Sequence, residues 1–326
     1  MKKIIILFVA IMFLVSTGSA ILAANKIILK VAHNGNAQHP FQDAYLKFKE
    51  VIETETNGAV EVQIFPAEQL GTDEQVTQSI KLGTVAGNMS GTAALAEFYT
   101  EAELFNLPFI FRDLPHFYRV MDGPIGRRIA IKAQEKLNCI ALGWAYSGNR
   151  NVWNGKRPVF TPDDLKGLKI RVMGSPVLVD TFNALGAQAT PMSFGEVYTA
   201  LQQGVIDGAE TDHVDLLVEK FYEVTKYVSL TGHMYLANLF IFSKKVYDKL
   251  PAYVQTIVLK AGTAAIAEER KAMDIKTEMA LNELKKKGLK FYEVDKKPFQ
   301  DKVEMVYKKY AKKVGGIKAI EQVASQ

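Results

Sequence analysis

One pattern occurs twice in this chain, as EQVTQSIKLGTVAGNMS at 74–90 and as GEVYTALQQGVIDGAET at 195–211. Aligning Gly83 with Gly204 also places Val76 on Val197, Ile80 on Leu201, Val85 on Ile206 and Gly87 on Gly208. Each copy predicts an amphipathic helix closed by glycine, then a short buried strand opening into a loop. Two copies about 120 residues apart predict two α/β lobes of similar build, since a solenoid needs three or more repeats at short period.

The rest of the chain agrees with α/β patterning. A β-rich run IILKVA begins at Ile27, a helical pattern follows through AYLKFKEVIETET, and VEVQIF begins at Val60. In open α/β sheets the ligand site lies beyond the carboxyl ends of the strands. The loops NMSGT (88–92) and AETD (209–212) are therefore expected to face each other across a cleft. From Leu250 the apolar residues recur at helical spacing for many turns, with Pro251 suited to the first turn. The pattern ends in Lys285 to Lys287 and Gly288, cations and a C-cap that suit a helix terminus. A further helical stretch follows Pro298. These helices are expected to brace both lobes rather than bind a membrane, because their apolar faces are narrow.

Lys2 and Lys3 precede an apolar run from Ile4 to Val15 and the small residues STGSAILAA, which predicts a secretory signal peptide over residues 1–24, cut near Ala20. The apolar run is too short to span a bilayer. Without Lys2 and Lys3 the chain carries 38 basic against 35 acidic residues, spread along its length, which argues against a nucleic-acid footprint. The one cysteine, Cys139, lies in the apolar run NCIALGW and is read as a packing residue.

The sequence lacks the usual signatures of catalysis. Five histidines are scattered without metal spacing, and the local group Asp212, His213 and Asp215 supplies no defined coordination geometry. There is no nucleophile elbow and no GxGxxG after a strand. GNRNVWNGKR is not a phosphate loop, for no Ser or Thr follows Lys156. Glu210 and Asp212 are the candidate carboxylate pair for glycoside hydrolysis, but two positions apart on a strand end they say nothing of the separation required. Arginine on apolar, strand-like backgrounds is the more informative feature. Arg171 lies in GLKIRVMGSP and Arg150 in SGNRNVWN. Each must find a partner if buried, either in a structural salt bridge or as part of an anion clamp, whose planar donor fork suits a carboxylate.

The segments FPAEQLGTDEQ, FNLPFIFRD, SGNRNVWN, TPDDLKGLKIRV, GAQATPMSFGEVYTALQQGVIDGAE and TGHMYLANLFIFSKKVYDKLP, in this order, resemble the DctP-type solute-binding proteins of tripartite ATP-independent periplasmic (TRAP) transporters. The resemblance implies an α/β, two-lobed, Venus-flytrap fold with a long hinge-spanning helix. Its expected lobes are 25–147 with part of the C-terminal region, and 148–235, with 236–326 forming a crossing strand and bracing helices. It implies a periplasmic monomer that is not an enzyme, uses no cofactor or metal, binds a small organic acid and delivers it to the small and large permease subunits. Arg171 matches the arginine that pairs with the ligand carboxylate in this family, and Arg150 a supporting one. Asn34, Asp73, Ser90, Met173 and Phe194 match ligand-lining positions, and Glu74 beside Asp73 is a further candidate; both acids also suit a helix N-terminus.

Position 211 departs from the pattern. The family usually carries Asn there, whereas this chain has Thr211 followed by Asp212. A shorter hydroxyl would enlarge the pocket, and Asp212 would repel a second carboxylate while accepting bonds from sugar hydroxyls. Both changes favour a sugar acid, a uronate such as glucuronate or galacturonate or an aldonate, over a C4-dicarboxylate or 2-oxo acid. A secreted sugar-acid hydrolase or lyase is the distant alternative.

Overall fold

The computed structural model describes residues 26–326, so the expected signal peptide lies outside the described residues. Nine strands among them form one mixed sheet: β1 (Ile27–Ala32), β2 (Val60–Phe65), β3 (Gly87–Gly91), β4 (Cys139–Asn154), β5 (Lys169–Val172), β6 (Gln188–Pro191), β7 (Gly208–Thr211), β8 (Tyr227–Ser243) and β9 (Lys290–Tyr292). Their order is β2-β1-β3-β8-β4-β7-β5-β6, with β9 added to β8. Strands β2, β1 and β3 are parallel, as are β7, β5 and β6. The long antiparallel pair β4 and β8 joins these halves: β8 pairs β3 through Asn238–Phe242, and β4 pairs β7 through Asn151–Asn154.

The repeat occupies equivalent places in the two halves. Helix α1 (Pro40–Glu55) precedes the first copy, whose helix α2 (Asp73–Leu82) starts in a reciprocal capping box between Thr72 and Gln75. It stops at Gly83, where φ is +83°. The second copy has the shorter α3 (Val197–Gln202) and Gly204 at φ +70°. Only a residue without Cβ takes this left-handed turn at little cost. Each copy then enters a strand, β3 or β7, flanked by one parallel neighbour and one crossing strand.

Two expected loops prove to be strand. Asn88–Gly91 belongs to β3 and Ala209–Thr211 to β7, because β8 and β4 pair with them antiparallel and carry the ladder further than the sequence pattern suggested. The lobe bounds at 147/148 and 235/236 fall inside β4 and β8. Helix α4 (His213–Val218) follows β7 directly, capped by Asp212.

The long helix is α5 (Ala252–Lys286), 35 residues and about 52 Å at 1.5 Å per residue. Pro251 sits just before its first turn, and Gly288 follows it at φ +90°. Val254, Val258 and Ala265 of α5 pack with Phe48, Phe240 and Phe242; Met273 and Ala280 join the largest core, with Phe105, Phe117 and Ile170. Leu284 reaches the third cluster, beside Trp153, Phe221 and Val228. One helix thus supports both halves of the sheet. Helix α6 (Lys297–Tyr310) buries Phe299, Val303 and Val306 in the largest core. Cys139 is buried there too, and burial pushes its thiol up to about 12. No described helix is long and apolar enough to cross a membrane.

Candidate ligand-binding site

Strands β1 and β3 run antiparallel to β5 and β7, so the carboxyl ends of the two half-sheets converge on the middle of the crossing pair, where two small adjoining chambers lie, with volumes of about 40 and 30 Å³. They share Asn34, Arg171, Met173 and Phe194. The first adds His39, Phe41, Ser147, Arg150, Asp215, Leu236 and Asn238. The second adds Glu68, Asp73, Glu74, Gly91, Ala93, Ala94 and Ser193. As they stand, both volumes lie well below the usual range for small-molecule sites, so a ligand occupies them only as the halves move apart. A larger, more open depression of about 450 Å³ lies along α3, but its lining holds a single charged side chain, Glu196, and no buried unpaired polar atom.

Arg171 stands where the chambers meet, on the central strand of the second half-sheet. Its Nε and Nη2 both donate to the carbonyl oxygen of Met192, at 3.0 and 2.8 Å, and its guanidinium lies 5.7 Å from the centre of the Phe194 ring. Its Nη1 has no hydrogen-bond partner among the described residues. Burial draws the group down to about 10, which leaves it protonated at neutral pH. A buried cation with an unpaired donor is destabilising by about 1–3 kcal/mol, which an incoming carboxylate recovers.

Arg150 lines the first chamber with its charge already matched. Nε and Nη2 donate to the two oxygens of Glu210 at 2.5 and 2.9 Å, and Nη2 also donates to the Glu210 carbonyl. His233 Nε2 approaches the same carboxylate at 3.3 Å, and the Nδ1 of that ring lies 2.9 Å from Thr231 Oγ1. Burial alone would raise Glu210, but the Arg150 charge and the hydrogen bonds of Arg150 and His233 override it and hold the carboxyl at about 2. Of the two readings open for Arg150, the structural salt bridge describes its geometry.

Acids ring the shared centre. Asp73 accepts from Gly91 N at 2.8 Å and Asn88 Nδ2 at 2.7 Å, yet burial and neighbouring Glu74 push it up to about 7. Glu68 is raised by burial and accepts from Gly195 N at 3.1 Å, a contact between the two halves. On the other side His39 Nδ1 accepts from Phe41 N at 3.1 Å, so the ring's proton sits on Nε2, which faces Asp215 Oδ1 at 3.5 Å. Burial first and Asp212 second raise Asp215 well above the carboxylate range, and burial lowers His39 well below the imidazole range.

Seven of the ten expected residues line the chambers: Arg171, Arg150, Asn34, Asp73, Glu74, Met173 and Phe194. Three are correctly buried but turned elsewhere. Ser90 shares a 2.6 Å hydrogen bond with Thr77 of α2. Thr211 accepts from Trp153 Nε1 at 3.0 Å and donates to the Asp212 carbonyl at 3.1 Å. Asp212 caps α4, accepting from Val214 N and Asp215 N at 2.6 and 3.2 Å. The structure thus keeps Thr211 and Asp212 out of both chamber linings: Thr211 lies on the opposite face of β7 from Glu210, whereas Asp212 shares the Glu210 face and its Oδ2 has no hydrogen-bond partner among the described residues. His39, Asp215, Glu68, Ser147 and Asn238 were not expected. Asp215 had a signal, the short Asp212–His213–Asp215 group, whose use is capping and chamber lining.

A two-lobed α/β sheet closed by a hinge-spanning helix, with one unsatisfied guanidinium donor between its halves, defines a receptor for a small carboxylate. The chain belongs to the family described as bacterial extracellular solute-binding protein, family 7 (DctP), which residues 31–313 match. It is similar to three solved TRAP periplasmic solute-binding proteins. That of Polaromonas sp. JS666, bound to D-erythronate, is 33% identical with TM-score 0.88, covering 92% of this chain and 99% of that one. That of Citrobacter koseri, with bound D-glucuronate, is 34% identical with TM-score 0.86, covering 91% and 98%. That of Sulfurospirillum deleyianum, with bound succinate, is 33% identical with TM-score 0.88, covering 91% and 98%.

Proposed function

We propose that this chain is a periplasmic receptor that binds a sugar acid, a uronate such as glucuronate or galacturonate or an aldonate, and delivers it as a monomer to the membrane subunits of a TRAP permease. Its lobes would be 25–147 with part of the C-terminal region, and 148–235, hinged at β4 and β8 and braced by 236–326. The observation that carries this is Arg171 Nη1, a buried cationic donor without a partner among the described residues, where the two chambers meet. A carboxylate there would complete the fork. The acids Glu68, Asp73 and Glu74 beside it favour hydroxyl groups over a second carboxylate, for they accept hydroxyl hydrogens but repel an anion. Asn34 and Asn238 add amide donors and acceptors, and Phe194 and Met173 an apolar face. The D-erythronate and D-glucuronate complexes of the similar proteins support the same class.

The succinate complex of a third similar protein favours a second reading, a C4-dicarboxylate, in the same site. A thermal-shift screen with calorimetric follow-up decides between them, using D-glucuronate, D-galacturonate, D-erythronate, succinate, malate and 2-oxoglutarate. Sugar acids are expected to raise the midpoint most. Stabilisation by succinate or malate alone would overturn the sugar-acid reading. Recovery of the ligand chemically intact separates a receptor from a hydrolase or lyase.

A further inference from the structure

The first chamber holds more buried acid than its cations can match once a ligand arrives. Arg150 is spent on Glu210. A ligand carboxylate on Arg171 uses the second guanidinium. Asp215, 4% exposed, then has no cation left to pair with, and neither has Asp212, 2% exposed, which Asp215 adjoins on α4. Two ionised carboxylates without counter-charge in a site closed to water are strongly unfavourable.

We infer that binding of the organic anion is coupled to uptake of one proton, held by Asp215 beside neutral His39, 3.5 Å away across the two halves. The reaction balances as receptor plus ligand anion plus one proton from solvent, giving the loaded receptor with Asp215 as carboxylic acid and His39 neutral. The inference rests on the placement of the ligand carboxylate at Arg171. An open cleft would return Asp215 to water and leave Arg171 free to offset its charge; closure over the anion removes both. His39 belongs to the N-cap of α1 and Asp215 to α4, so their contact forms only when the halves meet.

The charged and titratable groups around Asp215 agree. From its own helix come Asp212, His213 and Glu219, of which Asp212 and Glu219 disfavour its ionised form. From the sheet come Arg150, Glu210 and Arg171; both arginines oppose the protonated form, but Glu210 holds the charge of Arg150 and the ligand carboxylate takes up that of Arg171. From the first half come His39 and, behind it, His33; from α5 come Lys276 near His39 and Glu269 near Asp212. His39 cannot take the proton in place of Asp215, because its Nδ1 is occupied by Phe41 N and both His33 and Lys276 disfavour its charge.

The test is calorimetry of the mature chain with D-glucuronate in phosphate and in Tris, which differ in ionisation enthalpy, repeated from pH 6 to 9. The measured heats should differ by the amount for uptake of up to one proton. The Kd should rise by up to about tenfold per pH unit above the open-state value of Asp215, because a group whose proton affinity increases on binding favours the complex at low pH. Asp215→Asn should abolish the buffer dependence and flatten the pH profile. Equal heats and a flat profile in the wild type, with D-glucuronate still bound, would overturn the coupling and leave the ligand class standing. If D-glucuronate gives no heat, the same titrations with succinate decide. Proton uptake there upholds the coupling and rejects the sugar acid, whereas binding without uptake, or no binding by either acid, rejects the coupling.

Discussion

Arg171 and Met192 are joined by two hydrogen bonds to one carbonyl oxygen, at 3.0 and 2.8 Å, which fixes the plane of the guanidinium and leaves Nη1 aimed away from its holder. The main-chain oxygen just past β6 orients the cation without neutralising it. Its full charge remains for a ligand.

Replacing Arg171 with alanine should weaken binding by at least about 2 kcal/mol, some thirtyfold in Kd, since charge-assisted hydrogen bonds contribute about 1.5–3 kcal/mol each. Arg171→Lys should fall between, because an ammonium keeps the charge but not the planar fork. Calorimetry checks both, and a wild-type Kd for the alanine variant would remove Arg171 from the site.

How much of this was legible follows from which residues act locally. The repeat gave the two half-sheets, since helix, glycine and buried strand are set by neighbours in sequence. Strand ends were misjudged as loops, because β3 and β7 are extended by partners about 150 and 60 residues away, Asn238 and Asn151 among them. Arg171 and Arg150 both stood out as cations on apolar strands, but nothing near Arg150 in sequence shows that Glu210 answers it. Thr211 and Asp212 looked informative because they depart from the family pattern. Their contacts, with Trp153 and with the first turn of α4, are structural.

Glu210→Gln should therefore destabilise the fold rather than only the site. It leaves Arg150 as a buried charge without a counter-ion, a change that typically costs about 3–5 kcal/mol. The wild-type ion pair stabilises fully above the ordinary carboxylate range and is lost as pH falls toward about 2, where Glu210 takes up a proton. Thermal unfolding from pH 7 to 2 should show the two proteins converging at the acid end. A constant gap would contradict the pairing.

Thr211→Val tests the structural role of that position. It removes the acceptor of Trp153 Nε1, and a buried donor left unsatisfied costs about 1–3 kcal/mol. Denaturant unfolding should report that loss, while the ranking of ligands stays as in the wild type. A changed ranking would return Thr211 to the pocket.

The contact of Asn36 with the end of α4 bridges the halves. Asn36 N donates to Glu219 Oε1 at 2.8 Å and its side-chain amide to the Val218 carbonyl at 2.5 Å. These bonds tie the first half to the second in this structure, so Glu219→Ala should speed ligand release about threefold to tenfold, the worth of one net hydrogen bond, with little effect on association. Stopped-flow release measurements check this, and an unchanged off-rate would mean the bonds persist in the open form.

Glu269 lies midway along α5, fully buried, with Oε2 accepting from Tyr146 N at 3.1 Å and Oε1 without a partner among the described residues. Burial raises it to about 8, against the opposing pull of the Tyr146 hydrogen bond and Arg270. The folded protein thus holds this proton more tightly than the unfolded chain does. The contribution of Glu269 to stability should be full below the ordinary carboxylate value and fall as pH rises toward about 8, where the buried group is forced to ionise. Glu269→Gln keeps an acceptor for Tyr146 and removes the titration. The variant should match the wild type near pH 4.5 and exceed its Tm by several degrees at pH 8.5, for a shift of this kind is worth a few kcal/mol and each kcal/mol moves the Tm of a large domain by about 2–4 °C. Equal melting at pH 8.5 would show that Glu269 ionises freely, and so that this stretch of α5 admits water at the hinge.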